Sequence, residues 1–196
     1  MNKAALLERL KRLKFSEKII DAFSIVRRED FIDPKFLSFA YEDSPLPLGE
    51  GSTISQPYTI AFMLTLLDLR DSNKILEIGS GCGYVLAIIN EMIQYPEIFG
   101  VEINEDICRA SIVRFQNYQN VSIFYQDGKF GLPQYAPFDR ILISAACPEK
   151  PYHLLDQLND NGIIVASVQD SIYKIEKSGD EVLETEYPGF RFVPLV

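Results

Sequence analysis

The sequence predicts an α/β protein: a mostly parallel sheet, a helical cap at the N-terminal end and antiparallel strands at the C-terminal end. Three observations carry this expectation. Between residues 74 and 168 short apolar runs alternate with helical ones, the pattern of parallel strands joined by crossovers and covered on both faces. At 74–84, Lys74-Ile75-Leu76-Glu77-Ile78-Gly79-Ser80-Gly81-Cys82-Gly83-Tyr84 passes from an apolar strand through alternating glycines into a helix. That is the start of a βαβ unit whose helix N-terminus faces a ligand. Beyond residue 170 no helical period fits between the strand-like runs, so the sheet should finish antiparallel.

Taken in order, residues 2–26 read as two helices. Leu6, Leu7, Leu10 and Leu13 keep helical spacing, and Ser16-Glu17 restarts a pattern carried by Ile19, Ile20, Phe23 and Val26. Residues 27–52, with Pro34, Pro45, Pro47, Gly49 and Gly51, read as a long irregular stretch. A loop of that length is usually functional or disordered, and Phe31, Phe36, Phe39 and Tyr41 favour an ordered loop packed on the body. A helix to about residue 69 follows, with Ser55 placed to cap it and Pro57 in its first turn. Strands are expected at 74–78, 98–102, 121–125, 140–144 and 162–168, with helices at about 84–94, 105–118 and 152–158. The tail reads as a hairpin, 171–177 and 181–187, around Ser178-Gly179-Asp180, with a last strand at 190–195.

Composition narrows the function classes. A chain of 196 residues can bury one sizeable core and is too short for two comfortable domains. A net charge of −9 argues against a nucleic-acid partner, since phosphate contacts need a basic face. No apolar run reaches membrane-spanning length and no secretory segment opens the chain, so the cytoplasm is expected and no membrane partner. Cys82, Cys108 and Cys147 have neither zinc-site nor disulfide spacing, and no metal is expected. His153 is the one histidine, on an amphipathic run with Leu154, Leu155 and Leu158; it reads as a surface or satisfied residue.

The glycine turn poses a choice of ligand. A dinucleotide fingerprint needs a third glycine where Tyr84 stands, and a pyrophosphate would be repelled by Glu77. The form Glu-x-Gly-x-Gly-x-Gly resembles instead the first motif of methyltransferases that use S-adenosylmethionine (SAM), whose ammonium and sulfonium Glu77 can attract. Glu102 ends the next strand about twenty residues on, where a carboxylate can accept both ribose hydroxyls of SAM or NAD alike. Asp127-Gly128 ends the third strand, where a carboxylate can accept the adenine amino group; the same pair is equally the mark of a plain Asp-Gly turn. Three acids at one sheet edge lie where α/β proteins bind ligands.

Further motifs extend the resemblance. Thr53-Ile54-Ser55-Gln56-Pro57, the glycine turn, Asp127-Gly128, Ala136-Pro137-Phe138-Asp139 and Phe192-Val193-Pro194-Leu195 resemble the protein-L-isoaspartate O-methyltransferase family. So do Arg28-Glu29-Asp30-Phe31 and Ala40-Tyr41-Glu42-Asp43. The resemblance covers nearly the whole chain. It implies a single methyltransferase domain: 1–52 as helical cap and substrate-side loop, 53–170 as a Rossmann-like SAM-binding core, and 171–196 as antiparallel strands. It also implies methyl transfer from SAM to the free α-carboxylate of L-isoaspartyl residues in proteins and peptides, by a monomer. Ser55 matches the family's active-site serine. The cofactor would meet Thr53, Ile54, Ser55 and Tyr58, then Glu77, Gly79, Ser80, Gly81 and Gly83, then Glu102, Asp127 and Gly128. The chain departs from the family pattern at Gln126, Asn161, Ser167 and Gln169, changes that bear on substrate preference more than on cofactor binding.

The chemistry agrees with the scarcity of bases. A carboxylate is anionic at neutral pH and needs no general base to attack a sulfonium methyl. Alignment and the exclusion of water are then most of the task. Three other readings stay open from sequence: an O-methyltransferase for another carboxylate, a SAM-binding protein without turnover, and an NAD-dependent oxidoreductase.

Overall fold

The computed structural model describes residues 1–49, 51–190 and 192. Helix α1 (Lys3–Arg12) is capped by Asn2, whose side chain accepts the Ala5 N–H, and α2 (Glu17–Ile25) by Ser16, which accepts that of Ile19. Their inner faces bury Leu6, Leu10, Ile19, Ile20 and Phe23. The stretch after them is ordered, as its aromatics predicted. It forms 3-10 turns at Arg28–Phe31 and Pro34–Phe39 and then a small hairpin, β1 (Leu46–Gly49) with β2 (Ser52–Ile54). The hairpin corrects the reading of 27–52 as wholly irregular. Two prolines and a bulge between Pro47 and Gly49 hide its alternation.

Helix α3 (Pro57–Leu67) begins at Pro57, and here a second correction applies. Its N-cap is Gln56, and Ser55 does not cap it. The first-turn donor at Tyr58 is taken by Asp43 Oδ1 at 2.8 Å, from fifteen residues upstream. A tertiary cap has replaced the local one.

The main sheet follows the expected alternation: β3 (Lys74–Ile78), α4 (Tyr84–Met92), β4 (Glu97–Glu102), α5 (Glu105–Phe115), β5 (Val121–Tyr125), β6 (Phe138–Cys147) and β7 (Leu158–Val168). The hairpin β8 (Ser171–Ser178) and β9 (Glu181–Pro188) completes it. Strand order is β5-β4-β3-β6-β7-β8-β9, parallel from β5 to β7 and antiparallel beyond. Of the strand expected at 190–195, Arg191 and 193–195 lie outside the described residues, while Phe190 and Phe192 have no regular structure.

One face carries α2, α3 and α4 over a core that joins Leu6 and Phe23 of the cap to Ile75, Val165 and Ile172 of the sheet. The other face departs from expectation. The helix predicted near 152–158 is a 3-10 turn, Tyr152–Gln157, and only 3-10 turns lie between β5 and β6. The strand β7 begins at Leu158, directly after the turn, which leaves room for six residues of 3-10 structure only. Side chains cover this face in place of helices: Phe99 meets Phe124, Tyr135 and Phe138, with ring centroids 4.9–6.4 Å apart.

Candidate active site

The strand order reverses at β3, which has β4 on one side and β6 on the other. The crevice beyond the carboxyl ends of such strands is where α/β proteins hold ligands. Here it contains the glycine turn, stapled to the end of β4. Gly79 and Ser80 both donate to the Val101 carbonyl, at 2.8 and 3.0 Å, and Gly81 N–H donates to Glu102 Oε2 at 2.8 Å. Gly83 has φ +82°, and a Cβ there would come within 2.5 Å of the Phe115 ring, so only glycine lets α5 close against the turn.

Glu77 is the floor of the site. It is 1% exposed; Oε1 accepts the Ser144 hydroxyl at 2.6 Å, and Oε2 has no hydrogen-bond partner among the described residues. Burial pushes its carboxyl up to about 8, with the charge of Glu102 adding and the Ser144 hydrogen bond opposing. A buried carboxyl with one oxygen unpartnered suits a small cation that arrives with a ligand. Glu102, also buried, spends one lone pair of each oxygen on the N–H groups of Gly81 and Asn104. Capacity remains for ligand hydroxyls.

Thr53, Ile54, Ser55, Glu77, Gly79, Ser80 and Gly81 line a single hollow, with Ser144 and with Leu48 of the hairpin. A second, wider hollow lies beside it, walled by Pro45, Gln56, Thr59 and Phe192, and shares Thr53, Ser55 and Ser144 with the first. Ser55 therefore belongs to the partition between two cavities. Its hydroxyl makes no hydrogen bond to any described residue, and its carbonyl accepts from Arg28 Nη2 at 3.1 Å.

The remaining expected residues are placed differently. Gly83 packs behind the turn. Asp127 is exposed and accepts the Lys129 N–H at 2.8 Å, the local Asp-Gly turn foreseen as the alternative. Gly128 meets the end of β3: a Cβ would stand 2.5 Å from Ile78 Cγ2. Tyr58 does not line the first hollow. Its ring joins Phe62 and Phe190 in a cluster of three roughly parallel rings, with Phe15 edge-on. Cys82 and Cys147 are both buried, and burial lifts each thiol to about 11, which leaves them unreactive. His153 is exposed and bonds the Lys129 carbonyl at 2.8 Å.

Sequence reasoning missed Ser144 and Arg28. A polar residue at the carboxyl end of the parallel strand beside the glycine strand was a usable signal for Ser144. Arg28 stood in a motif of the resemblance, but nothing local gave its role, because its carbonyl partners, Ser44 and Ser55, are distant in sequence.

The fold, the glycine turn with its acidic floor, and the buried glutamate that ends the next strand define a SAM-dependent methyltransferase of the Rossmann-like class. Within that class, the model of the protein-L-isoaspartate(D-aspartate) O-methyltransferase family matches residues 1–196, and the chain belongs to that family. A protein-L-isoaspartate O-methyltransferase of Methanothrix thermoacetophila is 39% identical, over 100% of this chain and 95% of that one. One from Thermosipho melanesiensis is 36% identical, over 96% and 99%. Among solved structures, a protein-L-isoaspartate O-methyltransferase superposes with a TM-score of 0.90 at 26% identity, covering 98% of this chain and 65% of that one. A Plasmodium falciparum β-aspartate methyltransferase in complex with S-adenosyl-L-homocysteine gives 0.85 at 22%, over 100% and 99%, a likeness of fold.

Proposed function

We propose that this chain transfers a methyl group from SAM to the free α-carboxylate of L-isoaspartyl residues in damaged proteins and peptides, a repair step. The observation that carries the reading is the partition: the family's serine position, Ser55, faces a hollow floored by Glu77 on one side and a wider hollow on the other.

Bound SAM supplies an electrophilic methyl group on a sulfonium. Glu77 would hold its ammonium, Glu102 would accept its ribose hydroxyls, and Asp127-Gly128 would meet its adenine. Backbone groups of Gly79, Ser80 and Gly81 line the channel between. Thr53 and Ile54 lie alongside, and Tyr58 acts from its aromatic stack by holding the entrance of α3. On the substrate side Ser55 donates one hydrogen bond that orients the carboxylate. Among the described residues that line the two hollows no His or Lys is present to make Ser55 a nucleophile, and the anionic substrate requires no base. Pro45 and Phe192 wall the peptide side and exclude water from the reacting pair.

The same reading has the chain act as a monomer in the cytoplasm, without nucleic-acid or membrane partners. Its charge of −9 supports the former exclusion, and among the described residues no helix is long and apolar enough to cross a membrane. Sedimentation equilibrium tests the monomer. The cofactor assignment is tested by calorimetry. SAM should bind, and Glu102→Ala should weaken it by about 1–3 kcal/mol through loss of charge-assisted hydrogen bonds. Binding of NAD in place of SAM would contradict it.

A further inference from the structure

We propose that Arg28 is a positioning residue that straps the base of the β1–β2 hairpin and so sets Ser55 at the partition. Its kinetic consequence rests on the carboxyl-methylation reading; its structural consequence does not. Arg28 is 0% exposed. Its Nη2 donates to the Ser44 carbonyl at 3.2 Å and to the Ser55 carbonyl at 3.1 Å. Those residues stand just before β1 and just after β2. Nε and Nη1 have no hydrogen-bond partner among the described residues, and Cζ lies 5.9 Å from the centre of the Tyr84 ring. Asp43, next to Ser44, commits its oxygens to Tyr58 N–H and to Arg9.

A guanidinium buried without a hydrogen-bonded carboxylate is costly, and an apolar side chain of similar volume would fill the space with less penalty. What the guanidinium adds is the pair of carbonyl contacts. The hairpin needs them: it has three paired positions, one of them Pro47, which lacks an N–H, and a bulge. A two-stranded ribbon of that size is not stable alone. Yet Leu48, Thr53 and Ile54 of this ribbon line the cofactor hollow. Closing its base by one buried nitrogen fixes the backbone at Ser55, and with it the direction of the hydroxyl.

The test compares wild type with Arg28→Met and Arg28→Lys. Lysine can still present one nitrogen to both carbonyls; methionine cannot. In Arg28→Met, hydrogen exchange of amides 46–55 should quicken by about tenfold or more while those of 74–78 and 140–144 keep their protection. At saturating SAM and isoaspartyl peptide, kcat should fall about tenfold or more, with peptide KM within about threefold, and Arg28→Lys should recover part of both losses. Arg28→Gln serves if the Met chain does not fold. A folded variant with unchanged exchange at 46–55 would overturn the strap, and so would exchange raised equally across the sheet. Should wild type methylate no isoaspartyl peptide, the functional reading fails while the exchange data still decide the role of Arg28.

Discussion

Glu77 and Ser55 share one cavity and make opposite demands on it. Glu77 is a carboxyl held neutral by burial. Its ordinary value of 4.5 is raised in the fold to about 8, so between those values the unfolded chain releases a proton that the folded chain keeps. Stability should therefore fall as pH rises through that window and level off above it. Glu77→Gln, which keeps an acceptor for Ser144, should flatten the dependence in urea melts at pH 5, 6.5 and 8. A cation beside Oε2 favours the ionised form. Wild type should then release protons on binding SAM near pH 6.5, measured by calorimetry in buffers of different ionisation enthalpy, and the Gln variant should release fewer. Ser55 is simpler than the sequence implied. Because Asp43 and not Ser55 caps α3, Ser55→Ala and Ser55→Gly should both leave the melting temperature nearly unchanged. Both should lower methylation by roughly 10- to 100-fold, about 1.4–2.7 kcal/mol of lost orientation. Full activity in the Gly variant would remove the hydroxyl from the mechanism.

At the scale of elements, tertiary contacts override local signals where the site is built. The cap of α3 comes from Asp43, which also pairs with Arg9 at 3.0 Å. Arg9 is half exposed, so the pair is screened and the cap should dominate. Asp43→Ala should cost about 1–2 kcal/mol in urea denaturation and Arg9→Ala under about 1 kcal/mol. Equal losses would contradict that ordering. The glycine turn is stricter. Gly83→Ala meets both a left-handed backbone and the Phe115 ring, and should destabilise by at least about 1–3 kcal/mol, with SAM affinity falling as α5 is pushed away. The hairpin and the 3-10 turns of the second face escaped sequence reading for one reason. Each is short, so neither a period of two nor one of 3.6 has room to show.

For the whole molecule, what could be read was what is local and periodic. Strands 74–78 and 121–125 were expected at the bounds they take, because each is an apolar run closed by turn residues. The antiparallel finish was expected because nothing helical lies between its strands. Glu77, Glu102 and the glycines could be singled out as candidates because strand-end position is legible locally. The partition was not visible: Ser55, Ser144 and Phe192 are far apart in sequence and meet only through the order of the sheet. That meeting carries the functional reading, and one measurement tests it most directly. Wild type is incubated with SAM bearing a labelled methyl group and with two peptides that differ only in an isoaspartyl or an aspartyl linkage. The expected result is base-labile label on the isoaspartyl peptide and little on its aspartyl twin, since only the former offers a free α-carboxylate at the altered linkage. Equal labelling of both, or label on neither while SAM binds, would contradict it.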